Sequence, residues 1–428
     1  MLASPELLQE AAQPVRLAEV ISRCRDQIPL YGRSAGESLG IEPPVAISNE
    51  LHRWPFITKA DIRRGFPTNF LGAEASLEEL LEKEIIELEH TSGTSEERMP
   101  LLLPHGWWAE QEFQALKLNA TVAEILARNP EVRRATINSP VCSGDIRYQG
   151  VPSRTDRILG NTLFVSLSRY PFLWSERDLE RIAGEIVDWK PSFLDVDPVY
   201  GVIFALYCER QGIRLPSLRF IVCSYEFVSI AHRSILRRAF GVPVFDLYGS
   251  TETGHLLMED TAGRMRPSLE TAFLEVLDVD HSGIGSLVVT TLTNPFMPLI
   301  RYRIGDLVEC AQTPYGKRCV IHGRIADAFY ISADKRVTTR QVDQCFAELE
   351  GIAHYQLVQE GDGGWLLRFV PDGHGPEPDH LTDSVKRLGQ LLQADDSVVV
   401  QKTDLLVPER SGKFRLGYPS KQKHARTG

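Results

Sequence analysis

The chain reads as an α/β protein: a large N-terminal domain with a parallel sheet covered by helices, a β subdomain, and a small α+β domain at the C-terminal end. Three observations carry that expectation. Between about 135 and 247, short apolar runs alternate with helical patterns, the order that builds a parallel sheet. From about 270 to 310, strand patterns follow one another with turn residues between them. After Gly323-Arg324 a βαββαβ-like arrangement begins. The expected division is 1–324 for the large domain and 325–428 for the small one.

The elements follow in order. Residues 5–28 carry Leu7, Leu8, Ala11, Leu17, Val20 and Ile21 at helical spacing. A Pro/Gly-rich connection leads to Trp54-Pro-Phe-Ile-Thr-Lys-Ala-Asp-Ile62, where Thr58 and Asp61 form a capping-box pattern. Residues 85–89 alternate like a strand and run into His90-Thr-Ser-Gly-Thr-Ser95. One helix is expected over 107–128. Strands follow at 135–139, 163–167, 193–197 and 218–223, with helices over 175–189, 200–211 and 230–240. Ser175 caps the first of these, with Asp178 three residues on. The apolar run 241–247 reads as a short buried strand. In the small domain, helices are expected at 342–349 and 380–392, and strands at 354–359, 365–370 and 397–401.

Composition narrows the function. The 428 residues include 47 Lys and Arg against 57 Asp and Glu, a net charge of -10. With the cations scattered, nucleic acid is excluded as the main partner. The seven cysteines are odd in number and form no Cys-x-x-Cys pair. A disulfide framework is therefore not expected, and a reducing cytoplasm fits. No signal-peptide core is visible at the N-terminus, and the longest apolar run, near 199–208, is too short to span a bilayer.

The chemistry gathers around Asp246-Leu-Tyr-Gly-Ser-Thr-Glu-Thr-Gly254. A strand that ends in small residues and an acid suits a nucleotide site at a sheet's carboxyl edge. Gly249 admits close approach of a ligand to the backbone. Ser250 and Thr251 can bond phosphate oxygens, Glu252 can hold Mg2+, and Tyr248 offers a flat face to a base. The Thr/Ser-rich turn after 85–89 is a phosphate-cradle candidate, although it lacks a Walker ending. Each segment by itself also reads as a plain polar turn.

Taken together and in colinear order, these segments resemble the adenylate-forming (ANL) superfamily, and within it the phenylacetate–CoA ligase-like branch. The similarity covers nearly the whole chain. Trp54 to Ile62 resembles the branch's N-terminal segment, and Thr91-Ser92-Gly93-Thr94-Ser95 the phosphate loop. Tyr248-Gly-Ser-Thr-Glu252 resembles the adenine and magnesium motif, and Met297-Pro-Leu-Ile-Arg-Tyr-Arg-Ile-Gly-Asp306 the ribose motif. Gly323-Arg324 falls at the interdomain hinge, and Ser411-Gly-Lys413 resembles the catalytic-lysine loop.

The resemblance implies a reaction and roles. A carboxylate attacks the α-phosphorus of MgATP, giving acyl-AMP and pyrophosphate, and the acyl group then passes to a thiol. That thiol is CoA or a carrier-protein phosphopantetheine. Lys413 matches the lysine that bridges carboxylate and α-phosphate, carried on a mobile small domain. Glu252 matches the Mg2+ ligand and Thr251 the phosphate-facing hydroxyl. Asp306 matches the ribose ligand, Arg324 a phosphate or ribose contact, and Tyr248 the adenine platform beside Ser224 and Tyr225. The acid, by the habit of this branch aromatic, is expected near Cys142, Tyr225, Gly249 and His255. For His255, ring contact and a helix-capping or solvent-facing role stand equal.

Departures from the pattern leave alternatives open. Glu96-Glu97 follows the phosphate loop and would repel a triphosphate unless turned outward. The glycine expected after the hinge to line a pantetheine tunnel is not evident in Tyr330-Ile-Ser-Ala-Asp-Lys335. An amide or ester synthetase working from acyl-AMP, or a non-catalytic nucleotide-binding relative, are the other readings. Cys310, Cys319 and His322 would give three zinc ligands near the boundary, or remain ordinary buried residues.

Overall fold

The structure is a computed structural model and describes residues 5–32, 51–72, 75–91, 98–129, 131–140, 152–332, 335–361, 363–394 and 397–420. The chain forms two compact units: residues 1–125 with 247–320, and residues 126–246 with 321–428.

The first unit opens with the helix Pro5–Gln27. Leu17, Val20, Ile21 and Cys24 recur at three- and four-residue steps and are buried, the amphipathic stripe the sequence foretells. They join a core with Trp54, Ile57, Ile62, Met99, Leu299 and Tyr302. Thr58 accepts from the Asp61 N–H, and Asp61 accepts from the Thr58 N–H, so the expected capping box starts the helix Lys59–Arg63. The hairpin Ile86–His90 and Pro100–Pro104 pairs Ile86 with Pro104 at its open end and His90 with Pro100 next to the connecting segment. The first unit's antiparallel strands run in the order Ala272–Leu277, Gly285–Thr291, Tyr302–Thr313, Gly316–Arg324, Met265–Pro267, Gly254–Glu259 and Val244–Ser250.

The helix expected over 107–128 is two, Trp107–Leu116 and Ala120–Arg128. Asn119 divides them: its Oδ1 accepts from Val122 N at 3.1 Å, and its Nδ2 donates to the Glu259 carbonyl at 2.8 Å. An Asn side chain that finds local backbone partners caps a helix better than it continues one.

The second unit holds a run of parallel strands. Thr162–Phe164, Arg134–Ile137, Phe193–Val196, Phe220–Cys223 and the first residues of Val244–Ser250 lie side by side, each pair parallel. Helices Glu176–Trp189, Pro198–Gln211 and Ile230–Phe240 alternate with the strands, as the alternation predicts. Ser175 and Asp178 form the expected capping box. Gly212 and Gly241 end the other two helices at φ 65° and 66°, the left-handed conformation that glycine adopts without strain. The small sheet runs Val398–Lys402, Trp365–Pro371, Ile352–Gln359 and Gly417–Tyr418. The helix expected at 342–349 begins earlier, as Thr339–Gln344, because Thr338 and Gln341 make a capping box. The helix Pro378–Leu392 packs beside that sheet through Leu388 and Leu392.

The well-spread cysteines pointed away from disulfides, yet Cys310 and Cys319 are bonded, with Cα atoms 4.1 Å apart. They sit on neighbouring strands, where register rather than sequence spacing brings them together. Two of the three residues considered for zinc are therefore tied to each other. His322, the third, places Nδ1 3.2 Å from Thr338 Oγ1. Among the described residues, no helix is long and apolar enough to cross a membrane.

Candidate active site

In the first unit the signature 248–252 is the end of a strand and the start of a tight turn. The strand Val244–Ser250 runs through Gly249, turns over 251–253 and returns antiparallel as Gly254–Glu259. The register shifts between Tyr248 and Gly249. A Cβ on Gly249 would stand 2.3 Å from the Gly254 carbonyl oxygen and 2.8 Å from His255 Cα, so only glycine fits this bulge. Ser250 Oγ and Thr253 Oγ1 are 2.9 Å apart across the turn.

Glu252 is 7% exposed. Its Oε1 accepts from Tyr302 Oη at 2.8 Å and lies 3.7 Å from Lys59 Nζ. Tyr302 is wholly buried, and burial first, then the charge of Glu252, holds its phenol well above the ordinary range, so it stays a donor. Tyr248 Oη donates to Asp306 Oδ2 at 2.6 Å. The structure thus brings together Tyr248, Glu252 and Asp306 and adds Tyr302 and Lys59. Hard oxygen donors at Glu252, Thr251 and Ser250 match the preference of Mg2+, and the Lys59 ammonium already sits against the carboxylate as a cation.

His255 is buried with its ring 4.8 Å from that of Trp108, which the sequence reading did not single out. Thr91 is spoken for by its hairpin: its hydroxyl accepts from Met99 N at 3.0 Å. Ser92, Gly93, Thr94, Ser95 and Cys142 lie outside the described residues.

In the second unit the strand Phe220–Cys223 hands over to Ser224, Tyr225 and Glu226. Ser224 Oγ donates to Asp195 Oδ1 at 2.7 Å, and Tyr225 Oη to Asp195 Oδ2 at 2.9 Å. Tyr225 has φ 74°, a strained backbone for a tyrosine. One buried carboxylate clamps both residues and offsets that strain. Asp195 carried no motif signal beyond its place in Phe193-Leu-Asp-Val-Asp197.

Lys413 lies on the loop 409–415, which docks at the carboxyl ends of the parallel strands. Ser139 Oγ donates to the Ser411 carbonyl at 3.3 Å, and Tyr200 Oη to the Gly412 carbonyl at 3.1 Å. The Phe414 N–H donates to Glu226 Oε1. Gly412 has φ +85°, and a Cβ there would meet Ser139 Oγ at 2.0 Å. Arg415 anchors the far side through Asp327 at 2.6 Å and the Ala326 carbonyl at 3.0 Å.

Two acids face this loop. Burial pushes the Asp197 carboxyl up to about 7, opposed by its bond to Val199 N and by the Lys413 charge. Burial and then the Asp197 charge push Glu226 well above the usual carboxylate range, while Lys413 and Arg324 pull it down. Lys413 and Arg324 therefore act on the same carboxylate. Asp197 also caps the helix Pro198–Gln211, which is the only role its sequence context suggests.

No family model matches the chain. The phenylacetate-coenzyme A ligase of Thermus thermophilus is 25% identical over 373 residues, covering 82% of this chain and 78% of that protein. The phenylacetate-coenzyme A ligase of Escherichia coli is 25% identical over 375 residues, covering 83% and 80%. In fold, a crystal structure of 2-hydroxyisobutyryl-CoA ligase with an acyl-AMP superposes with a TM-score of 0.70 at 17% identity, covering 98% of this chain and 91% of that one. The chain is thus similar in sequence to the phenylacetate-coenzyme A ligases and shares the fold of 2-hydroxyisobutyryl-CoA ligase.

Proposed function

We propose that this protein activates a carboxylic acid with ATP, as an acyl-adenylate, and passes the acyl group to the thiol of coenzyme A. The observation that carries the reading is the docked lysine loop: Lys413 stands among the strand ends of a parallel sheet, on a backbone pinned by Ser139, Tyr200 and Glu226. A side chain so held can meet a developing negative charge without reorganising, which is the largest lever on a reaction of this kind.

Each residue then has a task. The carboxylate oxygen of the acid forms a bond to the α-phosphorus, and the bond to the pyrophosphate oxygen breaks. Lys413 neutralises the carboxylate and α-phosphoryl oxygens as they approach. Asp306 accepts the ribose hydroxyls. Gly249 lets the nucleotide pass close to the backbone of its strand. Tyr248, Ser224 and Tyr225 receive the base. Arg324 meets phosphate or ribose. Glu252, with Thr251, would hold Mg2+, which when bound offsets charge on the phosphates. The phosphate segment 91–95, the division into a core at 1–324 and a lid at 325–428, and the acid's place near Cys142, Tyr225, Gly249 and His255 belong to the same proposal.

The acid is proposed to be aromatic: the ring of Trp108 against His255 offers an apolar, flat wall beside Gly249 in the first unit. Phenylacetate is the substrate in the names of the two relatives by sequence. The test is direct. The protein is incubated with ATP, Mg2+, CoA and a panel of aryl and aliphatic acids, and the products are read by mass spectrometry. Acyl-CoA with AMP from an aryl acid supports the proposal. Acyl transfer only to a carrier protein or an amine would move the acceptor, and no AMP with any acid would defeat it.

A further inference from the structure

Two five-residue segments of the first unit, Tyr248 to Glu252 and Tyr302 to Asp306, have the same plan: tyrosine first, carboxylate last. Their side chains cross. Tyr248 Oη donates to Asp306 Oδ2 at 2.6 Å, and Tyr302 Oη donates to Glu252 Oε1 at 2.8 Å. Each carboxylate is held by the tyrosine of the other segment. We infer that these tyrosines are positioning residues: Tyr302 aims Glu252 at the metal of a metal–ATP complex, and Tyr248 aims Asp306 at the ribose hydroxyls. This rests on the acid-activation reading and adds the device that ties the phosphate end of the nucleotide site to its sugar end.

The choice of a phenol has a physical reason. A neutral O–H orients a carboxylate and leaves its charge for a cation, whereas a fixed ammonium or guanidinium would compete with that cation. Both described partners of Glu252, Tyr302 and Lys59, reach the same oxygen, Oε1. Lys59 is 46% exposed and can swing away, but Tyr302 is wholly buried and cannot. Its backbone is fixed as well, by pairing with Val289 on one side and bridging Ile57 on the other. Tyr248 is fixed through its pairing with Leu257 in the hairpin. A bond from a buried donor to a charged acceptor is the stronger kind, and its loss strands the acceptor.

The two roles separate by ligand. AMP needs no metal, whereas the Mn2+ complex of a non-hydrolysable α,β-methylene ATP does. Calorimetry on the full chain with both probes, and with 3′-deoxy-AMP, tests the inference. Tyr302→Phe is expected to weaken the Mn2+–nucleotide complex by about tenfold or more, leaving AMP affinity within about twofold. Tyr248→Phe keeps the ring and is expected to erase most of the preference for AMP over 3′-deoxy-AMP, with the gain on adding Mn2+ unchanged. Equal weakening of both probes by Tyr302→Phe, or of neither, would overturn the inference. An intact sugar preference in Tyr248→Phe would overturn it too, and that arm stands if Tyr302→Phe does not fold. An unmodified protein that binds no probe defeats the acid-activation reading instead.

Discussion

The phenol of Tyr200 lies 3.1 Å from the Gly412 carbonyl oxygen and 2.8 Å from that of Arg169. One buried hydroxyl on the helix Pro198–Gln211 thereby reaches the lysine loop and the segment beside it. The loop can approach this closely because residue 412 has no side chain.

Gly412→Ala should therefore separate docking from folding. The added Cβ would sit 2.0 Å from Ser139 Oγ, and the φ of +85° is strained for alanine. The loop must lift, carrying Lys413 with it. A displacement on the order of 1 Å costs about a hundredfold in rate. We expect acid-dependent AMP release to fall by about that factor while the circular dichroism spectrum stays that of the unmodified protein. Undiminished AMP release would show that the docked loop is not the working one.

Asp197 should leave a signature in the pH dependence of stability. Its folded carboxyl is raised to about 7 by burial, against about 3.9 in an unfolded chain. The folded state therefore binds the proton more tightly. The stabilisation is full below about pH 4 and is lost as pH rises through about 7. Asp197→Asn keeps an acceptor for Val199 N and removes the titration. Denaturant midpoints of the variant should fall less than those of the unmodified protein between pH 4 and 7.

The histidine pair has the opposite sign. His232 Nε2 and His354 Nδ1 are 3.0 Å apart and buried. Burial lowers His232 to about 3 and His354 well below the usual histidine value. Both stay neutral when folded, while the unfolded chain takes up protons below about 6.5. Their contribution is present above about pH 6.5 and is lost as pH falls towards 3. A double His232→Gln, His354→Gln variant should be flatter over that range, although less stable at pH 7. Because the two slopes oppose each other and other shifted carboxyls such as Glu226 add to the total, the variants are needed to resolve each contribution.

The Cys310–Cys319 cross-link closes a loop with a sequence separation of 9. A loop of that size is worth about 2–3 kcal/mol through the unfolded state. Cys310→Ser with Cys319→Ser should lower stability by up to that amount, less where the hairpin already restrains the unfolded chain. Peptide mapping without reductant should recover the two cysteines as one linked species.

Much of this was legible in the sequence because it is local. Helix stripes, capping boxes and the strand–helix alternation need only neighbours a few residues away, and Thr58, Ser175 and the run from Phe193 to Phe240 follow them. The unseen features depend on distant pairing. Asn119 ends its helix because the Glu259 carbonyl lies opposite it. The disulfide needs a strand register. Asp195 and Glu226 act through residues 29 to 188 positions away, and no motif names them. Tyr302 had a signal, its four-residue spacing from Asp306, which repeats that of Tyr248 and Glu252. The sequence showed 248–252 as the end of a strand; the strand reaches as far as Ser250 because Gly249 tolerates the hairpin partner at contact distance.

The most direct check of the central claim is exchange of labelled pyrophosphate into ATP, dependent on an added carboxylic acid, in the unmodified protein and in Lys413→Ala. The account predicts exchange with at least one aryl acid and a loss on the order of a hundredfold to a thousandfold in the variant. Exchange that persists undiminished without the Lys413 ammonium would contradict it.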